Sequence, residues 1–347
     1  MTKYSPRLTL CCLVLCACLL VGCAAHSAPV AAAAPAALSL SPTPSPLPTP
    51  SPTPAPAQTP FSVVWMSDTQ MYASTYPDIL TSMFRYTADV CAAKNVVSLY
   101  HTGDMLRSVY YPEQPARVRE AAALLPRDLL CVTAAGNHDC GLEQGDYTAY
   151  RTYRFDTDAR AENAFPGGVS YFTTFSAGGV DILVLSIAYF EEKTAAEWAR
   201  GVLAAHPGHY AVLLVHSYLD SVWGVKNSGY TSSGETLRDN VVLPSPNLRL
   251  VLSGHMRDAE HSVLPVDDDG DGKDDRRVLQ LMMNPQENDL GGGGFLRLLR
   301  FDAAHDTLRV ETYSPYLHES DFPGNDLGVS HVFYDIGIRP FLTGAAD

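Results

Sequence analysis

Acidic residues are absent from the first 59 positions of this 347-residue chain, where Lys3 and Arg7 are the only charged side chains at neutral pH. All 38 acidic residues and 22 of the 24 basic ones lie beyond, so the remainder carries a formal charge of −16. A surface of that sign excludes nucleic acid, and equally anionic lipid, as a bulk electrostatic partner. It leaves room for a small phosphorylated substrate if something local reverses the field. Cysteine is scarce once the N-terminal segment is set aside. Five of the eight (Cys11, Cys12, Cys16, Cys18, Cys23) fall there, leaving Cys91, Cys131 and Cys140. An odd number without close spacing argues for buried thiols over a disulfide framework. Internal repeats and a second domain boundary are also missing, and 46% hydrophobic content can bury one large core or two modest ones.

The N-terminal segment reads as an address. Lys3 and Arg7 precede an apolar run over 8–21 that ends in Leu20-Val-Gly-Cys23. This resembles the lipobox of bacterial lipoproteins. The resemblance implies a signal peptide over 1–23, a lipid on Cys23 and an extracytoplasmic, lipid-anchored place at the bacterial cell membrane; a plain secretory signal or an uncleaved anchor is the alternative. Residues 24–59 are dominated by Ala, Pro, Ser and Thr, with proline at every second position from 42 to 56. Such a segment cannot offset its ordering entropy by burial and is expected to be a disordered, polyproline-like linker. At about 3.1 Å per residue it reaches up to roughly 100 Å. A proline-motif ligand is the weaker reading.

From residue 60 to 347 the pattern is that of one α/β domain. Residues 61–66 read as a buried strand, followed by Ser67-Asp68-Thr69-Gln70. A helix is expected over 78–94, with Ile79, Met83, Tyr86 and Val90 on one face. A strand over 96–100, a helix over 113–125 and a strand over 129–133 follow, an alternation that predicts a parallel sheet with right-handed crossovers. Runs over 169–175 and 180–187 flank Gly178-Gly179 and read as a hairpin. A helix over 194–205 and strands over 210–216, 248–253, 277–283, 294–301 and 308–313 complete two sheets packed face to face under outer helices.

Five polar residues stand within a few positions of the ends of apolar runs: Asp68, Asp104, Asn137, His216 and His255. Singly, each has a bland account as a turn residue or a structural imidazole. Together they read as one metal site on the rim where the strands end, which is where open α/β sheets bind ligands.

In this order Asp68-Thr-Gln70, Gly-Asp104, Gly-Asn-His138-Asp139, Val-His216 and Gly-His255-Met-Arg257 resemble the calcineurin-like metallophosphoesterase superfamily, over about residues 61–260. Gly291-Gly-Gly-Gly-Phe-Leu-Arg and Thr312-Tyr-Ser-Pro315 look like the C-terminal part of a secreted bacterial branch. The resemblance implies a four-layer αββα sandwich and two divalent metal ions. The implied reaction is hydrolysis of a phosphomonoester or phosphodiester by attack of a metal-bound hydroxide. Its metal ligands fall on Asp68, Gln70, Asp104, Asn137, His216 and His255. Asp104 lies between the ions, whose mutual repulsion a shared carboxylate offsets. His138 falls on the histidine that contacts substrate and protonates the leaving oxygen, with Asp139 orienting it.

Two departures touch one ion. Gln70 and Arg257 stand where the family has histidines, and a guanidinium, always protonated, cannot ligate. The first site is therefore expected to be oxygen-rich and weak, favouring Mn²⁺ or Mg²⁺, while Fe or Zn fits the second. Arg257 is expected to place positive charge near the phosphate. Glu260 or His261 is a candidate replacement ligand, and His101 is read as structural. The damage also motivates an alternative, a catalytically impaired member that binds a phosphorylated cell-wall or lipid component; the retained His138 argues for the enzyme. The substrate would be a phosphorylated small molecule or cell-envelope component, chosen by loops such as those carrying Tyr110, Tyr111, Trp223 and Tyr230.

Asp267, Asp269 and Asp271 with Gly272 resemble positions 1, 3, 5 and 6 of a calcium loop, and Asp275 falls at position 9. Val278 replaces the closing glutamate, so a solvated hairpin turn is the competing account. Gly291 to Gly294 lacks the Lys-Ser/Thr of a phosphate loop and is expected to be mobile, near the site rim.

Overall fold

A computed structural model of the protein describes residues 58–156, 163–221, 229–321 and 330–343. The leader with Cys23, the spacer up to residue 57 and Trp223 lie outside the described residues.

The first half is built on parallel strands. β1 (Phe61–Met66), β2 (Val96–His101) and β3 (Leu130–Thr133) lie side by side in parallel. Helices α2 (Pro77–Val90) and α3 (Glu113–Ala122) make the crossovers, and the short α1 (Gln70–Ser74) follows β1 directly. Burial on both faces explains why β1 is apolar at every position but Ser62. Pro77 opens α2, where a missing N–H costs nothing. The helix buries Ile79, Leu80, Met83, Phe84 and Thr87, and each large apolar side chain so buried is worth about 1.5–3 kcal/mol. It stops at Val90, short of the expected 94; residues 91–95 form turns instead, and Asn95, at a left-handed φ of 49°, leads into β2.

The second half forms another sheet. After α4 (Tyr150–Tyr153), β4 (Tyr171–Ala177) and β5 (Val180–Ile187) make the expected hairpin. β5 then pairs in parallel with β6 (Tyr210–Val215), and β6 with β7 (Leu248–Ser253). α5 (Ala196–Ala205) and α6 (Ser232–Leu237) cover this sheet. β8 (Asp258–Val266), which has no counterpart in the sequence reading, is the antiparallel edge partner of β9 (Arg276–Asn284), itself parallel to β7. β10 (Leu296–Asp302) and β11 (Thr307–Ser314) return to the first sheet beside β1. The short β12 (Glu319–Ser320) and β13 (His331–Tyr334) both pair with β11.

Strand parity sorts the core into three slabs. Val63 and Trp65 of β1 meet Ile182 and Val184 of β5 and Val212 and Leu214 of β6 between the sheets. Val64 and Met66 face α1 and α2 on one side, and Leu183, Leu185 and Leu213 face α5 and α6 on the other. This is the four-layer αββα arrangement expected from the sequence. Among the described residues no helix is long and apolar enough to cross a membrane. Among the described residues, Cys91, Cys131 and Cys140 are not joined to one another by a disulfide.

Candidate metal centre

Strands β1, β2, β3, β6, β7 and β9 all end on one edge, and the polar residues gather there. Three of them hold left-handed backbones: Asp68 at φ 52°, Asp104 at 56° and His255 at 65°. Such conformations cost about 1–3 kcal/mol each and persist only where the surroundings enforce them. The neighbouring glycines are part of that enforcement. A Cβ at Gly136 would run into the Asp104 carboxylate, and one at Gly254 into Ser67 Oγ and Asp68 Oδ2.

His216 is the centre of one cluster. Its Nδ1–H donates to the Thr102 carbonyl at 2.8 Å, which leaves Nε2 as the nitrogen that can ligate once its proton is lost. Around that nitrogen lie Asp104 Oδ2, Asn137 Oδ1 and His255 Nδ1, each at 3.2 Å. Four donors held about 2.1 Å from a cation in a tetrahedron stand about 3.4 Å apart. A single proton cannot satisfy three acceptors at once, whereas a divalent ion at their centre can, so the donor set fits a metal.

Electrostatics point the same way. Burial works against charge on both Asp104 and His216, but their mutual attraction prevails: Asp104 is held below the usual carboxylate range and His216 is raised to about 10. Burial pushes Asp68 up to about 7, with Asp104 adding to the shift and His216 opposing it. Burial and the His216 charge lower His255 to about 4.

Asp68 lies close enough to Asp104 for their charges to interact. A hydrogen-bond chain ties it to the core: Trp65 Nε1–H to Thr102 Oγ1 at 3.1 Å, Thr102 to Ser67 at 2.6 Å, and Ser67 to Asp68 Oδ2 at 2.6 Å. Gln70 Nε2 donates to Asp104 Oδ2 at 3.2 Å and to Gln286 Oε1 at 2.8 Å. Its own Oε1 is buried without a hydrogen-bond donor, a condition that costs about 1–3 kcal/mol unless a cation or water relieves it. The residues expected at the first site thus adjoin Asp104 and carry an unmet acceptor.

The sequence reading missed Asn284 and Gln286. Asn284 Nδ2 donates to Asp68 Oδ1 and to the His255 carbonyl, both at 3.0 Å. The signal was present, since the run over 277–283 ends in a polar residue like the other site strands. Tyr189, just past β5, was also missed; its ring packs on those of His216 and His255 at 5.8 and 5.4 Å.

Other expectations are corrected. Asp139, placed by the sequence behind His138, accepts instead from the backbone amides of Asp104, Gly136 and Met105 and from Tyr153 Oη at 2.8 Å. It braces the ligand turn because it is fully buried among these donors. His138 is oriented by Arg107, whose carbonyl takes its Nδ1–H at 2.8 Å, leaving Nε2 4.0 Å from Asp104 Oδ2. Arg257 is exposed at the rim and paired with Glu287 at 3.2 Å.

His261, carried away along β8, packs against the rings of His331 and Phe333, and Glu260 is opposite Met282 in the same ladder. His101 is structural, as expected: Gly103 N–H donates to its Nδ1 at 3.1 Å, so its Nε2–H faces Thr69 Oγ1 at 3.0 Å.

The Asp-rich run is the turn between β8 and β9. Asp267 and Asp269 gather with Asp275 rather than Asp271, whose carboxylate pairs with Lys273. Val278 is buried in β9 and closes no loop. Gly291 to Gly294, expected as a mobile rim loop, is buried against Met71, Tyr72 and Ile79.

A family model for calcineurin-like phosphoesterases matches residues 61–256. YvnB of Bacillus subtilis (strain 168) is 33% identical over 271 residues, covering 77% of this chain; the chain spans only 21% of that protein. A purple acid phosphatase, PPD1 from yellow lupin (Lupinus luteus) seeds, shares the fold at 15% identity, with a TM-score of 0.51 over 82% of this chain and 56% of that one. A dimetal phosphatase from Danio rerio is similar at 10% identity and a TM-score of 0.49, over 79% of this chain and 99% of that one. The family model's match over residues 61–256 covers the sheet edge just described from Asp68 to His255, and the chain belongs to the calcineurin-like phosphoesterases.

Proposed function

We propose that the protein hydrolyses a phosphomonoester or phosphodiester with divalent metal ions, held tightly by Asp104, Asn137, His216 and His255 and more weakly beside Asp68 and Gln70. The observation that carries this is the convergence of Asp104, Asn137 and His255 on His216 Nε2, with His138 alongside. When bound, such ions supply an activated water and positive charge for the phosphoryl group. The chain's residues do the rest. His138, whose Nδ1 is tied to Arg107, presents Nε2 to protonate the leaving oxygen. Asp139 fixes the turn from which Asp104 projects.

The test is hydrolysis of an aryl phosphomonoester and an aryl phosphodiester with added Mn²⁺. His138→Ala should lower the rate by roughly 10²–10⁴-fold while metal uptake is kept, and Asp104→Asn should lose both. Activity undiminished in both variants defeats the reading. We also propose, from Leu20 to Cys23, that the protein is lipid-anchored outside the cytoplasm, where a phosphorylated envelope component would be within reach. Cys23→Ala should then release it from the membrane fraction.

A further inference from the structure

We propose that Gln286 is a ligand of the first metal site, replacing the imidazole that Arg257 cannot supply. The inference rests on the metal-dependent reading above and names a residue outside the family's motifs. Gln286 follows β9 and reaches back to Gln70, its Oε1 accepting from Gln70 Nε2 at 2.8 Å. Gln70 in turn touches Asp104 Oδ2 at 3.2 Å. Two side-chain amides and a carboxylate therefore meet at Asp104 Oδ2, the oxygen that also faces His216 Nε2. One of those amides has an oxygen that is buried and lacks a donor. Hard divalent cations take such neutral oxygens together with carboxylates.

The turn carrying Gln286 is built to hold that position. Asn284 bonds Asp68 and the His255 carbonyl through Nδ2, while its Oδ1 accepts from Gln286 N–H at 3.1 Å. From below, the glycines 291–294 all hold positive φ, and a Cβ at Gly292 would meet the Pro285 carbonyl. From the rim, Arg257 pairs with Glu287, the neighbour of Gln286, at 3.2 Å. The residue standing at the lost histidine's position is thus tied to the turn that carries its replacement. Glu260 and His261, the sequence's candidates, are engaged elsewhere: Glu260 Oε1 accepts from His261 N–H, and the His261 ring packs on His331 of β13.

The experiment is Mn²⁺ titration of the chelator-stripped full chain, read by calorimetry and by electron paramagnetic resonance of the bound ion. Wild type should take up two Mn²⁺, one tight and one weaker. Gln286→Leu should weaken the second at least tenfold and leave the first unchanged. Gln286→Glu, which keeps the shape and adds a charge, should tighten the second several-fold. A second affinity unmoved by both substitutions, or a single ion in wild type, overturns the assignment. If the titrations behave as expected but no phosphoester is cleaved, the proposed reaction fails and the ligand assignment stands.

Discussion

Asp139 shows how a residue's neighbours decide its role. Its carboxylate accepts from four backbone amides and a tyrosine hydroxyl, all in the interior, and burial with the nearby Asp104 pushes it up to about 6. No group beside it in sequence competes for those donors. Asp139→Ala would leave them unpaired, and each buried unmet donor costs about 1–3 kcal/mol. The expected result is a loss of about 3 kcal/mol or more in urea unfolding, together with weaker Mn²⁺ binding as the Asp104 turn loosens. A residue that only oriented His138 would change the rate and leave the unfolding midpoint where it was.

At the scale of elements, the end of β9 decides most. Asn284 there spans two ligand turns, bonding Asp68 after β1 and the His255 carbonyl after β7. Asn284→Ala should therefore cost about 1–3 kcal/mol, measurable by thermal melts, and should lower metal affinity though Asn284 is assigned no metal. Val251→Ala, equally central in its sheet, should cost stability without moving metal affinity. The strands of the site were legible because burial on both faces leaves a mostly apolar run with a polar residue at or just past its end, as in β1, β6 and β7. β8 was not, because an edge strand is half wet and Asp258-Ala-Glu-His-Ser carries no such run. Gln286 was not, because its partner is 216 positions away and no local pattern encodes that contact. The crossover helices and the hairpin at Gly178-Gly179 were readable from periodicity and turn chemistry alone, whereas the five-residue α1 is too short to show a period.

For the whole molecule, the acidic chain and its metal centre are linked through protons. His216 in the metal-free protein is raised to about 10 from an ordinary value of 6.5. A base whose folded value lies above its unfolded one binds more protons in the folded state throughout the interval between them. Its stabilisation is fully present below about 6.5 and is lost as pH rises through about 10. The buried carboxylates Asp68 and Asp139, raised to about 7 and about 6, also favour the folded state less as pH rises, over a lower interval. There His255 and His101, lowered to about 4 and about 3, act with the opposite sign. The window above pH 7 is therefore set mainly by His216. Chelator-treated protein should melt at a lower temperature at pH 9 than at pH 7. Binding a divalent ion requires His216 to give up its Nε2 proton, so the ion should bind more tightly as pH rises and should release a proton on binding. With saturating Mn²⁺ the melting temperature should no longer fall across that interval, because the ion then holds the charge that the proton held. Calorimetry in buffers of different ionisation enthalpy counts the released proton. A melting temperature indifferent to pH in the chelated protein, with no proton released on Mn²⁺ binding, would show that His216 is neutral before metal arrives and that the cluster is held together without a shared proton.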